Sequence, residues 1–137
     1  MENISDDLKI SRDKSFLQIG RVMELLGQSY WAQNRAIDVV QKSIENSICY
    51  GVYSNNIQVG YARVITDYAT TFYICDVIID QAYRGKGFGK KLINTIVTDE
   101  QLESLMGILI TKDAHGLYEQ YGFKKNSESF MCKPKKG

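Results

Sequence analysis

The chain is poor in the residues that build metal centres and disulfide frameworks. Its 137 residues include three cysteines and a single histidine. Cys49, Cys75 and Cys132 fall in apolar, strand-like surroundings without metal-ligand spacing, and an odd count leaves any disulfide set incomplete. They read as buried, reduced thiols, and no metal site is expected. No apolar run approaches the roughly 18 residues needed to cross a bilayer, and no basic-plus-apolar leader opens the chain. A cytoplasmic protein without membrane contact is therefore expected. Charge imbalance is also missing. A net charge of +1 gives no global field to recruit nucleic acid.

What is present is the composition of a globular domain, 44% hydrophobic and 24% charged. At this length the chain can bury a core without staples, and residues 1–137 read as one domain with its core over about 8–132. There are no repeats, low-complexity stretches or linkers. The basic run Lys133-Pro134-Lys135-Lys136-Gly137 reads as a solubilising tail.

Periodicity supplies the elements. Lys9-Ile10 is a short first strand. Phe16, Ile19, Met23 and Leu26 recur at helical spacing and stop at Gly27. Asn34 can cap a second helix with Ile37, Val40 and Ile44 on one face. Ile48 to Tyr53 reads as a strand, Asn55-Asn56 as a tight turn, and Ile57, Val59, Tyr61 and Ile65 as the other hairpin arm. Asp67 to Thr70 turns the chain into a β-branched and aromatic run, Thr71 to Ile79, dense enough for a central strand. A helix on Phe88, Leu92 and Ile96 follows, then a strand over Gly107 to Thr111, a helix capped by Asp113, and two final strands near Phe123 to Lys125 and Phe130 to Lys133.

The strand at Val77-Ile78-Ile79 runs into Asp80-Gln81-Ala82-Tyr83-Arg84-Gly85-Lys86-Gly87-Phe88-Gly89, a basic, glycine-rich turn that opens a helix. Three glycines permit positive φ and close backbone approach, while free helix N–H groups and the helix dipole favour an anion. Arg84 and Lys86 add charge. The loop is not a P-loop, since it lacks the Gly-Lys-Ser/Thr ending. Nor is it a dinucleotide fingerprint, which needs a ribose-binding carboxylate about 20 residues on. A second motif, Thr111-Lys112-Asp113-Ala114-His115-Gly116-Leu117-Tyr118-Glu119-Gln120-Tyr121-Gly122-Phe123, reads as a short helix with a left-handed stop at Gly122.

Together, Arg84-x-x-Gly87-x-Gly89 and the Tyr118…Tyr121-Gly122-Phe123 segment resemble the GNAT superfamily of acyl-CoA-dependent N-acetyltransferases, over roughly residues 8 to 132. The resemblance implies an α/β fold: a mixed, mostly antiparallel sheet with helices on both faces and a splayed central strand pair. It implies acetyl-CoA as cosubstrate, its pyrophosphate on Arg84, Gly85, Lys86, Gly87, Phe88 and Gly89, and its thioester and pantetheine on the backbone of Val77, Ile78 and Ile79. Tyr118 matches the family tyrosine that protonates the departing thiolate. The Tyr30 to Arg35 segment falls where the family places its acceptor loop. Homodimers are common in the family, although no interface is legible here.

Other candidates come from the residues themselves. Asp76 is a carboxylate inside an apolar strand, a cost tolerated either at an active site or beside a partner such as Arg63. As a catalytic group it would attract an amine or take its proton. Tyr30 and Trp31 beside Arg35 form a candidate binding surface able to pair with a substrate carboxylate, or else close the core between two helices. Tyr68 could reach the same cleft. His115 is either a general base or a solvent-facing residue of the helix start. The leading expectation is transfer of acetyl from acetyl-CoA to a primary amine of a small molecule, peptide or protein. The alternatives are an inactive acyl-CoA-binding sensor and a basic-loop nucleic-acid binder, the latter without an overall basic charge.

Overall fold

The computed structural model describes residues 8–136. The first seven residues and Gly137, which closes the basic tail, lie outside the described residues. Five strands form one sheet in the order β1 (Leu8–Ser11), β2 (Ile48–Ser54), β3 (Ile57–Thr66), β4 (Thr71–Ile79) and β5 (Met106–Leu109). The first three pairings are antiparallel, and β4 pairs with β5 in parallel. Asn55 and Asn56 both take positive φ, 52° and 67°, so the β2–β3 hairpin closes as a turn whose twist matches its strands.

Helices cover both faces. On one, α1 (Ile19–Gly27) and α2 (Ile37–Glu45) bury Val22, Leu25, Leu26 and Val40 against Cys49, Tyr61 and Ile78. On the other, α3 (Phe88–Val97) buries Phe88, Leu92, Ile93 and Ile96 against Val52, Val64, Phe72 and Ile74, and the short α4 (His115–Glu119) adds Tyr118. At about 1.5–3 kcal/mol per fully buried large apolar side chain, the four α3 residues alone anchor that helix.

One irregularity in β4 positions the site. Tyr61 pairs with Ile78, but Arg63 pairs with Cys75, so Ala62 faces two residues, Asp76 and Val77. This is a β-bulge, and Asp76 adopts a left-handed φ of 56° to make it. The extra residue switches the phase of the strand. Phe72 and Ile74 point to the α3 face, whereas beyond the bulge Val77 and Ile79 do so and Ile78 joins the α1–α2 core.

Several expected features differ. The two final strands are absent: residues 124–136 are exposed and irregular apart from a 3₁₀ turn at Ser127–Ser129. Phe123 packs on the core but two lysines follow it with nothing to bury, and Phe130 and Met131 remain 53% and 93% exposed. Cys132 is exposed rather than buried, and Cys75 is half-buried. Phe16 lies in a separate 3₁₀ turn ahead of α1. Ala36, not Asn34, is the N-cap of α2, and Ile37 is half exposed. Ala114, not Asp113, precedes α4, with its N–H donated to Thr111 Oγ1. β5 begins one residue earlier than expected and ends at Leu109.

Candidate active site

The parallel ladder between β4 and β5 ends at Ile74 and Leu109. From Cys75 to Ile79, β4 continues without that neighbour, leaving one backbone edge without a strand partner. Val77, Ile78 and Ile79 lie along this stretch.

The loop after β4 is fixed at both ends and open in the middle. Asp80 accepts the N–H of Ala82 and pairs with Arg21 of α1, fixing the start of the turn. Arg84 Nε donates to the Ile79 carbonyl at 3.0 Å, tying the loop back to the strand end. Gly85 and Gly87 have φ of 82° and 83°, conformations that L side chains rarely adopt, and the space beside their Cα atoms is open. The first intrahelical bond of α3 runs from Lys91 N–H to the Gly87 carbonyl. The amides of Phe88, Gly89 and Lys90 precede it and are available to a ligand. Arg84, Gly85, Lys86 and Gly87 are exposed, while the Phe88 ring is buried and stacks on Tyr83 at 6.2 Å. At Gly89 an added Cβ would make only ordinary contact with Ile79 Cγ1, at 3.9 Å, so packing on the strand does not itself require glycine.

Tyr118 stands on the same face, in the core cluster against which Val77 and Ile79 pack, edge-to-face with Phe123 at 6.0 Å. Its hydroxyl has no hydrogen-bond partner among the described residues. Burial, helped by the nearby negative charge of Asp113, pushes the phenol up to about 12. The group stays protonated throughout the neutral range.

Asp76 is buried on the α1–α2 side. Its Oδ2 accepts from Arg35 Nη1 and Arg63 Nε, both at 2.8 Å, and its Oδ1 from Trp31 Nε1 at 3.1 Å. Arg63 Nη1 also donates to Ser47 Oγ at 3.2 Å. Desolvation would raise the Asp76 carboxyl, but the hydrogen bonds and charges of Arg35 and Arg63 outweigh it and hold the group below the ordinary aspartate range. Tyr30 packs edge-to-face on Trp31 at 5.1 Å, and the Lys112 ammonium sits 4.9 Å over the Tyr30 ring.

The structure thus brings Tyr30, Trp31, Arg35 and Asp76 into one cluster and places it beside the open stretch of β4. Tyr68 is not part of it. That residue lines a separate recess of about 210 Å³ with Lys14, Asn46, Ser47 and Thr66. His115 opens α4, half-buried. Sequence reasoning missed the Arg21–Asp80 anchor and Lys112. An acidic residue directly after an apolar strand was the available signal for the first, and nothing local signalled the second. Among the described residues, no helix is long and apolar enough to cross a membrane.

Comparison with known proteins agrees with this geometry. Residues 45–125 match the family defined as the acetyltransferase (GNAT) domain. A Gibberella zeae protein named as an acetyltransferase is 26% identical over 110 residues, a match spanning 66% of this chain and 62% of that protein. A crystal structure from Xanthomonas campestris pv. campestris, described as belonging to the GNAT family, is 37% identical, covers 93% of this chain and 92% of that one, and superposes with a TM-score of 0.88. An Elizabethkingia anophelis GNAT acetyltransferase with acetyl-CoA bound shares the fold at 16% identity and a TM-score of 0.66, covering 87% of this chain and 77% of that one. With the family matched across most of the sheet, α3 and α4, this chain belongs to the GNAT acetyltransferases.

Proposed function

We propose that the protein transfers the acetyl group of acetyl-CoA to a primary amine by direct attack. The observation that carries this reading is the junction of an open glycine cradle at the start of α3 with a β4 edge that has lost its partner. A pyrophosphate fits the cradle, where positive-φ glycines, free amides and the Arg84 and Lys86 charges converge. Main-chain groups of Val77, Ile78 and Ile79 would hold the pantetheine arm and face the thioester oxygen. The solved relative with acetyl-CoA bound supports the choice of donor. Bound there, acetyl-CoA supplies an activated thioester.

The chain's own residues then divide the work. Tyr118 holds a proton at its hydroxyl for the sulfur that leaves. Its raised pKa suits a donor in a dry site, because the same desolvation strengthens the developing thiolate as an acceptor. Tyr30, Trp31 and Arg35 would line the acceptor side. Asp76 already serves two guanidinium groups and an indole, so in this reading it holds them in place, and water takes the surplus proton of the amine.

Calorimetric titration with acetyl-CoA and release of free thiol across an amine panel test the proposal. Saturable binding plus amine-dependent thiol release is expected. Binding without turnover on any amine would favour the sensor, and absence of acetyl-CoA binding would reject both readings.

A further inference from the structure

The cluster around Asp76 has more positive charge than its own carboxylate can balance. Two guanidinium groups share one oxygen of Asp76, and the second oxygen is taken by the Trp31 indole. The carboxylate side chain is 3% exposed, Arg63 14% and Arg35 23%, so these charges are largely withdrawn from water. Lys112 adds a third cation over Tyr30. The neighbouring acids do not redress this. Asp38, three residues beyond Arg35, lies in the first turn of α2, where its carboxylate accepts the Val39 N–H. Asp113 lies within electrostatic reach of Tyr118. Even with Asp113 counted, three cations meet two carboxylates.

Arg35 is the member of the cluster that can serve a ligand. One of its nitrogens is spent on Asp76, while Nε and Nη2 have no hydrogen-bond partner among the described residues. A partly buried guanidinium held in a fixed orientation, with donors to spare, is suited to bidentate capture of a carboxylate. Beside it Trp31 is 42% exposed and Tyr30 53%, an apolar wall for the body of the same molecule.

Resting on the transferase reading above, we propose that the acceptor is a carboxylate-bearing amine, of the amino-acid class, whose carboxylate is received by Arg35 and whose side chain lies on Tyr30 and Trp31. Such an acceptor completes the charge balance of the cluster. In the transfer, the amine nitrogen bonds to the acetyl carbon, the carbon–sulfur bond breaks, the sulfur is protonated from Tyr118, and the surplus amine proton passes to water and so back to Tyr118. A polyamine or other purely cationic acceptor would add like charge to the cluster and is excluded by the same argument.

Trp31 is the only tryptophan, so its fluorescence reports on this site directly. The purified chain is titrated with N-acetylglycine and N-acetylphenylalanine and with the corresponding amides. At least one carboxylate should shift the emission saturably and bind about tenfold or more tightly than its amide, the factor expected for one charge-assisted contact. In Arg35→Gln that ratio should collapse toward one, and in Arg35→Lys it should be partly kept, with thermal unfolding confirming that both variants fold. Amides binding as tightly as carboxylates, or no saturable binding of either carboxylate at millimolar concentration, overturns the proposal. Thiol release from acetyl-CoA with phenylalanine, phenylalaninamide and spermidine separates the two readings. Turnover fastest with spermidine or the amide leaves the transferase standing and sinks the carboxylate acceptor.

Discussion

Tyr118 combines a buried ring with a hydroxyl that no described residue engages, an arrangement that leaves its proton free for a ligand. Replacing it with phenylalanine keeps the Phe123 contact and removes only the hydroxyl. Turnover should fall about 10²- to 10⁴-fold with acetyl-CoA affinity nearly unchanged, measured by steady-state kinetics and calorimetry. A loss below about tenfold would assign the proton to water. Asp76 calls for the opposite test. Asp76→Asn leaves Arg35 and Arg63 partly buried without their anion, so stability should drop on the order of 3 kcal/mol in urea unfolding. The sign of the pH dependence follows. The folded-state pKa lies below the unfolded value, so the unfolded chain takes up the proton first. The stabilisation is complete above the unfolded aspartate pKa near 3.8 and is lost as pH falls through the folded one. Wild-type unfolding midpoints should show this acid-side loss, and Asp76→Asn should flatten it.

The glycine-rich loop ahead of α3, proposed above to hold the pyrophosphate, is an element whose conformation matters more than its side chains. Gly87 caps α3 at φ 83° with open space around it, so Gly87→Ala meets no atom and is opposed by backbone strain of about 1–2 kcal/mol. The variant should fold with a modestly lower melting temperature, and its acetyl-CoA affinity should fall at least about tenfold if the loop relaxes away from the cradle. An unchanged affinity would remove the loop from the donor site. The positive-φ turn and the helix it opens were legible in the sequence because glycine spacing and the following apolar period are local signals. So were the Asn55-Asn56 hairpin and the Asp67 turn, where the carboxylate accepts the N–H groups of Ala69 and Thr70. The final strands were misread for the reverse reason. Phe123 and the Phe130-Met131-Cys132 run carry β propensity, but a strand needs a partner edge, which local pattern does not report. The caps at Asn34 and Asp113 failed similarly, since suitable residues stood one or two positions outside the helix start. The Asp76 cluster lay between. A carboxylate in an apolar strand announced that partners were needed and pointed to Arg63 on the preceding strand, but Trp31 and Arg35 come from the segment between α1 and α2, whose approach to β4 no local pattern reports.

At the scale of the whole molecule, the sheet is lined with phenols that burial makes reluctant to ionise. Tyr53 is pushed up to about 12 by desolvation, and Tyr50 and Tyr61 are raised further, chiefly by burial. Tyr50 also donates to Asp99 at 2.6 Å. With Tyr118, four tyrosines ionise near 10 in the unfolded chain but not in the folded one. Their contribution is present below the unfolded value and lost as pH rises through the folded values. Urea midpoints should decline steeply between pH 10 and 12, and tyrosinate absorbance should rise together with unfolding; gradual ionisation of these rings in a still-folded protein would contradict the burial described. The bulge in β4 carries a different consequence. Because Asp76 is the surplus residue opposite Ala62, the buried carboxylate occupies one extra position in a strand whose later residues keep their regular partners, Ile78 opposite Tyr61 and Ile79 opposite Gly60. The chemistry of the cleft is thus specified by a count of residues as much as by their kinds. A lineage that lost one codon here would leave Val77 alone opposite Ala62 and Ile78 still opposite Tyr61, keeping the strand end on its faces while removing the carboxylate that Trp31, Arg35 and Arg63 share. Length, at this position, is inherited information of the same rank as the glycines.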